Sequence, residues 1–251
     1  MLKPQPNSHP MPRLLQLMRD NMERPRSFEV KNDGDEATIY VYDVIDSYWG
    51  IKAADFVQAL AALAAPTIHL RINSPGGDVF DARAMATAIL GHKSKVIAHI
   101  DGMALSAATT IAIAAAEVEI AEGGFFMVHQ AWTLAYGNAN DLIEMADLLE
   151  KIDAAIAADY GRKTKKSNEQ IVQWMAEETW FNAQEAVDAG FADRVFKGAE
   201  PAAGASAKWD LSAYEKVPKM LTEESPEAAA AKALLAKRAS LDRKLKLYQR
   251  T

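Results

Sequence analysis

The sequence predicts an α/β fold built around a largely parallel sheet. Short apolar runs of strand-like character alternate with longer runs of helical spacing, an order that is typical of β-α-β units with right-handed crossovers. Strands are predicted at 38–45, 67–72, 95–100, 117–120 and 125–128. Helices are predicted at 51–64, 81–90, 106–115 and 139–161.

The helices have local justifications in the residue pattern. The first carries Phe56, Leu60 and Leu63 on one side, as expected of a helix that packs on a sheet. The helix at 106–115 is rich in alanine, the residue with the highest helix propensity. The last helix carries a broad apolar stripe, formed by Leu142, Met145, Leu148, Leu149, Ile152 and Ile156.

Segments of different composition flank these elements. Residues 1–35 are rich in proline and scattered charges, and we predict an amino-terminal arm or pro-segment there. Residues 198–226 are rich in Ala, Gly, Pro, Ser and Glu, which predicts a linker. Residues 227–251 are expected to form a helical tail with a basic end. The folded domain is therefore expected within residues 36–197.

Composition and charge exclude several classes of protein. The formal net charge of −6 and the pI near 5.5 argue against a dedicated nucleic-acid-binding surface. The chain has no cysteine, which excludes a thiol nucleophile and disulfides. The longest apolar run, 103–116, is too short to span a bilayer, and the amino terminus shows no secretory signal. We therefore expect a cytoplasmic protein.

Ser106 is the candidate nucleophile. It follows an apolar run that Gly102 is expected to break, and it opens the alanine-rich helix. In the first turn of a helix, unpaired backbone N–H groups and the positive end of the helix dipole lie beside such a serine. Serine is also a preferred N-cap residue, so a capping role alone is the alternative interpretation.

A serine hydroxyl needs a base to accept its proton, and imidazole has a suitable pKa. Of the five histidines, only His129 ends an apolar strand just before a loop, where catalytic groups of α/β folds gather. The others lie in the arm, within strands or after a helix: His9, His69, His99 and His92.

The turn Ser74-Pro75-Gly76-Gly77 supplies a third element, because paired glycines permit close approach of another backbone. Ser74 is a second candidate nucleophile. A serine before proline is held extended, however, and usually serves as turn scaffolding.

These segments resemble the caseinolytic (Clp) protease proteolytic subunit and, more closely, its phage relatives, the ClpP-like head maturation (prohead) proteases. The matching stretches cover roughly residues 36–197. They are INSPGG (72–77), GMALSA (102–107), MVHQ (127–130), GNANDL (137–142) and WFNAQEAVDAGFAD (180–193). The resemblance implies a ClpP/crotonase-like fold of repeated β-β-α spiral units with a protruding handle helix.

The resemblance also implies residue roles. Ser106 takes the place of the nucleophile and His129 that of the base, while Gly77 and Ala107 take the places of the backbone donors of the oxyanion hole. Glu178 falls where the family has an aspartate that orients the histidine. The neighbouring Glu177 is the alternative, and a third interpretation is that both acids simply solvate a helix end. No metal or cofactor is implied.

The predicted function is ATP-independent serine endopeptidase activity that processes phage scaffold or capsid precursors during head maturation, in the host cytoplasm or the procapsid. The expected assembly is a homo-oligomeric ring that takes polypeptide substrates, with no nucleic-acid or membrane partner. In the loop before the handle, Trp132 and Tyr136 either line a substrate channel or pack an interface. Four alternatives stay open: a housekeeping ClpP subunit with an ATPase unfoldase, a crotonase-like CoA-thioester enzyme, a Ser–Lys peptidase, and an inactive scaffold component.

Overall fold

The computed structural model describes residues 28–197 and 209–222. Of these, residues 28–197 and 209–216 belong to one compact unit, and residues 217–222 belong to a second. The strands of the first unit are β1 Phe28–Asn32, β2 Glu36–Val41, β3 Thr67–Ser74, β4 Lys95–Leu105, β5 Glu117–Ala121, β6 Phe125–Val128, β7 Thr179–Asn182 and β8 Arg194–Phe196. Its helices are α1 Ala53–Ala61, α2 Val79–Gly91, α3 Ala107–Ile113, α4 Ala139–Thr164, α5 Asn168–Ala176 and α6 Ala183–Ala189. In the second unit, the described residues contain one short helix, α7 Lys219–Thr222.

The eight strands form one mixed sheet, as predicted for an α/β fold. Strands β2, β3, β4, β5 and β8 are parallel neighbours in that order. Strand β1 pairs antiparallel with β2 at the edge of the sheet. It lies inside the range that the sequence assigned to an arm, so part of that range belongs to the sheet.

The sheet divides at strand β4, which pairs with three other strands. Its first half pairs with β3 and β5, whereas Met103–Leu105 pair in parallel with Phe125–Met127 of β6. Strand β6 in turn pairs antiparallel with β7. Strands β6 and β7 thus form a branch of the sheet, and this branch carries part of the candidate site.

The expectation that Gly102 ends the strand before Ser106 was wrong, because β4 continues through Gly102 to Leu105. The pairing register between β3 and β4 shifts at this point, between Ile72 and Ser74. A Cβ atom on residue 102 would lie 2.7 Å from Oδ1 of Asn73. Glycine is therefore needed here to admit a neighbouring side chain within a strand, an established use of glycine at irregularities of a sheet.

The core lies between the sheet and helices α1 to α3. Residues Ile68, Leu70 and Ile72 of β3 alternate inward and are fully buried or nearly so, as period-two side-chain alternation requires. Phe56, Leu60 and Leu63, predicted on one side of the first helix, are all buried. In α3 the small alanine side chains allow the helix to pack closely against the strands.

Helix α4 packs on the domain only by its carboxy-terminal half. Its buried residues are Ile156, Ala157, Tyr160 and Thr164, whereas no residue in the range 139–155 is buried. Leu142, Ile143 and Leu148 are exposed apolar residues of the projecting half. The amino-terminal half of α4 therefore projects from the domain, as expected of the predicted handle helix.

Helix α5, strand β7, helix α6 and strand β8 complete the unit. The sequence analysis did not predict these four elements, each of which has nine residues or fewer. Within the described ranges, no helix combines the length and apolar character that crossing a membrane requires.

We expect Gly77→Ala to lower the free energy of unfolding by about 2 kcal/mol, because residue 77 has a positive φ of 146° and its Cβ would lie 2.0 Å from the Ile45 carbonyl oxygen. The matched control is Gly91→Ala, where nothing lies within 4 Å of the added Cβ. Urea unfolding followed by circular dichroism measures both. Equal stabilities of the two variants would contradict this packing argument.

Candidate active site

Ser106 occupies a strained turn between β4 and α3. Its φ of 52° and ψ of −126° place it outside the conformations that non-glycine residues normally adopt. It holds the N-cap position of α3, yet its side chain makes no capping hydrogen bond. Such strand–turn–helix geometry exposes serine nucleophiles in other hydrolases, and backbone strain of this kind clusters at functional sites. A simple capping role does not explain the observed geometry.

The pairing of β4 with β6 brings Ser106 and His129 together. Leu105 is opposite Met127, and the Ser106 N–H donates to the Met127 carbonyl at 2.9 Å. His129 follows directly after β6, so its ring reaches the serine hydroxyl. The distance from Ser106 Oγ to His129 Nε2 is 2.6 Å.

The loop that carries His129 is held from two sides. The Gln130 N–H donates to the Met175 carbonyl at 3.2 Å, and the Ala131 N–H donates to the Asp153 carboxylate at 2.7 Å. Burial raises the pKa of Asp153, an effect that the Ala131 hydrogen bond partly offsets. Helices α4 and α5 therefore hold the backbone that follows His129.

The other candidates are occupied elsewhere. His69 Nδ1 and His99 Nε2 lie 2.9 Å apart, and His92 Nδ1 accepts from the Ser94 N–H. His9 lies outside the described residues. Ser74 is fully buried, and its hydroxyl donates to the Asp43 carbonyl at 2.7 Å. Its role in the structure is turn scaffolding.

The glycine turn lies directly against the serine. A Cβ on Gly76 would lie 2.8 Å from the Ser106 Cβ and 3.1 Å from the Ala107 nitrogen. Within residues 28–197 and 209–222, no hydrogen bond uses the N–H of Gly77 or of Ala107. Both predicted oxyanion donors thus belong to segments that meet at Ser106, and their role stays a prediction.

Glu178 immediately precedes β7. Because Val128 is opposite Thr179, continuing the antiparallel register places Glu178 across from His129. Its carboxylate accepts hydrogen bonds from Trp180 Nε1 at 3.2 Å and from the N–H groups of Glu215 and Lys216 at 2.9 and 2.7 Å. No hydrogen bond joins it to His129 among the described residues, and its orienting role stays a prediction.

Glu177, the alternative acid, accepts from Gln173 Nε2 at 3.0 Å on the exposed side of α5. Glu178 itself has a positive φ of 48°, an unusual conformation for a non-glycine residue. The strained backbone at Glu178 and the register of β7 distinguish it from its neighbour.

Residues 209–216 reach the site, although the sequence predicted a linker there. Tyr214 is buried, and its ring makes edge contacts with His129 and Trp180 at centroid distances of 5.5 and 5.9 Å. Its hydroxyl donates to the Pro75 carbonyl. The available signal was the set of large apolar residues in an otherwise small and polar stretch: Trp209, Leu211 and Tyr214.

A cleft of about 520 Å³ opens beside His129. Trp132 and Glu178 line it, together with Ala213 and Glu215 of the carboxy-terminal segment. Tyr136, the other aromatic residue of the handle loop, is 92% exposed and lies outside this cleft. No cluster of metal-ligating side chains occurs in the part of the chain that the structure describes.

Burial lowers the pKa of His129 to about 4, and the nearby Glu178 carboxylate opposes this shift only in part. The imidazole is therefore neutral at pH 7 and can accept a proton at Nε2 from the serine hydroxyl. Burial also raises the pKa of Tyr214, with the Ser106 hydroxyl acting in the opposite direction.

We expect the ring protons of His129 to titrate with a midpoint of about 4, because desolvation by burial disfavours the charged imidazole. NMR titration measures this, with the His129→Gln variant used to assign the resonance. A midpoint at the ordinary histidine value would contradict the expectation.

Comparisons with known proteins identify the family to which the chain is similar. The Clp protease family model matches residues 32–199. The ATP-dependent Clp protease proteolytic subunit 1 of Leifsonia xyli subsp. xyli is 28% identical over 139 residues, which cover 55% of this chain and 71% of that protein. Subunit 2 of Rhodococcus jostii is 30% identical over 139 residues, with the same coverage of 55% and 71%.

A solved structure supports the fold. The ClpP1 mutant structure from Listeria monocytogenes aligns with a TM-score of 0.57 and 24% sequence identity, covering 67% of this chain and 94% of that one. At this identity the similarity shows the architecture alone. Since the family model spans more than half of the sequence, the chain belongs to the Clp protease family, whose members are serine-type peptidases.

Proposed function

We propose that this protein is a serine endopeptidase that cleaves peptide bonds by acyl transfer. The observation that carries the proposal is the 2.6 Å contact between Ser106 Oγ and His129 Nε2 at a strained strand-to-helix turn. A neutral imidazole in hydrogen-bond contact with a serine hydroxyl is the pairing that activates this nucleophile.

In the proposed mechanism, Ser106 Oγ attacks the scissile carbonyl while its proton moves to His129 Nε2. The N–H groups of Gly77 and Ala107 stabilise the negative oxygen of the tetrahedral intermediate. His129 then gives the proton to the departing amine, which leaves an acyl ester on Ser106. A water molecule, deprotonated by His129, hydrolyses this ester and restores the free serine.

Glu178 is proposed as the group that orients the imidazole and stabilises its protonated form. Support comes from the strand register that places it across from His129. Further support comes from the electrostatic influence of its carboxylate, which favours the charged imidazole. A glutamate performs this task with one methylene more than the aspartate that the resembled family has.

As a biological role we propose maturation of phage procapsids by cleavage of scaffold and capsid precursors. The motif resemblance to the phage proteases supports this role, and so do the extensions of the chain on both sides of the family match at 32–199. The proposed working form is a homo-oligomeric ring, because the handle presents exposed Leu142, Ile143 and Leu148 and such a surface favours a partner.

The second candidate is a housekeeping peptidase subunit, because the similar curated proteins are named as subunits of an ATP-dependent protease. The two roles differ in energy requirement. If ATP hydrolysis by a partner is needed to degrade folded proteins, the housekeeping role is favoured. Cleavage of precursor proteins without ATP favours head maturation. A crotonase-like activity would not require the Ser106–His129 pair.

We expect Ser106→Ala to lower peptide cleavage at least about a thousandfold, because the variant lacks the hydroxyl that is proposed to form the acyl ester. Wild-type and variant proteins are incubated with products of the neighbouring genes, and new termini are mapped by mass spectrometry. Ser94→Ala is the control, since this serine lies at the opposite end of β4 and uses only its N–H. Identical fragments from wild type and Ser106→Ala would overturn the assignment.

We expect Glu178→Gln to lower kcat/KM at least about a hundredfold on a peptide substrate, because an amide cannot stabilise the imidazolium as a carboxylate does. The comparison is Glu177→Gln, whose carboxylate is bound to Gln173 and for which a much smaller loss is expected. Steady-state kinetics distinguish them. A larger loss for Glu177→Gln would transfer the orienting role to that residue.

A further inference from the structure

The segment of residues 209–216, here named the strap, is packed against the candidate site rather than exposed as a linker would be. Trp209, Leu211, Ala213 and Tyr214 are all buried. Ala213 and Glu215 form part of the wall of the cleft beside His129. A peptide bound in this cleft would lie beside His129 and against the strap.

The first anchor of the strap is Tyr214. Its hydroxyl donates to the carbonyl of Pro75, which immediately precedes the glycine turn proposed to hold the oxyanion. Its ring lies edge-on against His129 and Trp180. The tyrosine side chain therefore lies against His129 and is bonded to the turn that carries the proposed oxyanion donor Gly77.

The second anchor is the carboxylate of Glu178. The Glu215 N–H donates to Oε2 at 2.9 Å, and the Lys216 N–H donates to Oε1 at 2.7 Å. Trp180 Nε1 also donates to Oε1. Both oxygens of the proposed orienting acid are thus engaged, and neither accepts a hydrogen bond from His129 in the described residues.

The third anchor is the Lys216 side chain, which donates from Nζ to the Glu177 carbonyl. This bond fixes the end of the strap next to Glu178. All three anchors use groups of the site or its immediate neighbours, and two of them use the strap's backbone or aromatic ring.

From these contacts we propose that the strap is an intramolecular inhibitor that lines the peptide cleft, narrows the approach to Ser106 and engages the Glu178 carboxylate in place of His129. Displacement of the strap opens the approach to Ser106 and releases the Glu178 carboxylate to orient the imidazole. The inference rests on the proposed peptidase function and adds a regulatory state to the same site.

The arrangement explains two features together. Glu178 lies across from His129 in the strand register, yet its hydrogen bonds go to the strap. The imidazole is neutral and in contact with the serine, yet the Tyr214 ring of the strap packs against it. A two-state site, assembled but covered, accounts for both, and its apparent reactivity scales with the fraction of uncovered molecules.

The test measures the rate at which a fluorophosphonate probe labels Ser106 in the full-length protein. We expect Tyr214→Ala to increase the labelling rate about tenfold or more, since the uncovered fraction limits the reaction in the wild type. Tyr214→Phe keeps the ring contacts and loses only the hydroxyl, which bonds the Pro75 carbonyl and interacts with Ser106, so a smaller increase is expected. Unchanged or slower labelling of Tyr214→Ala, in a protein with the wild-type circular dichroism spectrum, would overturn the inhibitory role.

A second pair of variants tests the Glu178 anchor without removing an aromatic residue. Lys216→Pro deletes the N–H that donates to Glu178, whereas Lys216→Ala keeps this N–H and loses only the ammonium group. We expect the larger increase in labelling for Lys216→Pro. Equal rates for the two variants would show that the backbone bond to Glu178 does not hold the strap.

Addition of the strap as a separate peptide completes the test. A synthetic peptide with the sequence of residues 209–216 should slow the labelling of Tyr214→Ala, and the same peptide with alanine in place of the tyrosine should not. Equal labelling in the presence of both peptides would argue against recognition by the cleft.

Failure of the two proposals can be told apart. If neither the wild type nor any strap variant is labelled, while Ser106→Ala is equally unlabelled, the peptidase function itself is contradicted and the inhibitory role falls with it. If the wild type is labelled as fast as Tyr214→Ala, the peptidase function stands and only the inhibitory role is lost.

Discussion

The parallel pairing of β4 with β6 is the constraint on which the candidate site depends. The Ser106 N–H donates to the Met127 carbonyl, and this bond extends the strand pairing by one residue beyond Leu105. A serine at the end of one strand and a histidine at the end of the other are thereby brought within hydrogen-bond distance. A shift of one residue in this register would turn either side chain to the opposite face of the sheet.

Close approach of three backbone segments imposes its own chemical requirements. Gly76 lies against Ser106 and Ala107 so closely that any side chain would overlap them. Gly102 admits Asn73 within β4, and Ala107 and Ala108 allow α3 to begin inside the core. The small residues of the GMALSA and INSPGG stretches are therefore explained by packing around a strained serine. The strain at Ser106 is maintained because strands and helix on both sides determine its position.

The candidate site combines the Ser106–His129 contact with a segment packed against it. Glu178 is bound by the strap, and the Tyr214 ring packs edge-on against the imidazole. The pKa of His129 is low because burial disfavours the charged ring more than Glu178 favours it. An acid that faces a histidine in the strand register and bonds elsewhere fits the proposed switch, in which the strap and His129 compete for one carboxylate.

Local patterns in the sequence were sufficient for the strands and helices around the glycine turn, Ser106 and His129, because periodicity, glycine pairs and strand ends are properties of neighbouring residues. The motif order was also sufficient to identify the family. The continuation of β4 through Gly102, the engagement of Glu178 and the strap depend instead on residues distant in the chain. The sequence alone does not distinguish a glycine within a strand from a glycine that ends a strand. At Gly102 the position of the Asn73 side chain makes this distinction. The large apolar residues Trp209, Leu211 and Tyr214 distinguish the strap from the rest of the predicted linker, yet only the tertiary structure shows that they are buried, because burial is a property of the folded surroundings rather than of the segment itself.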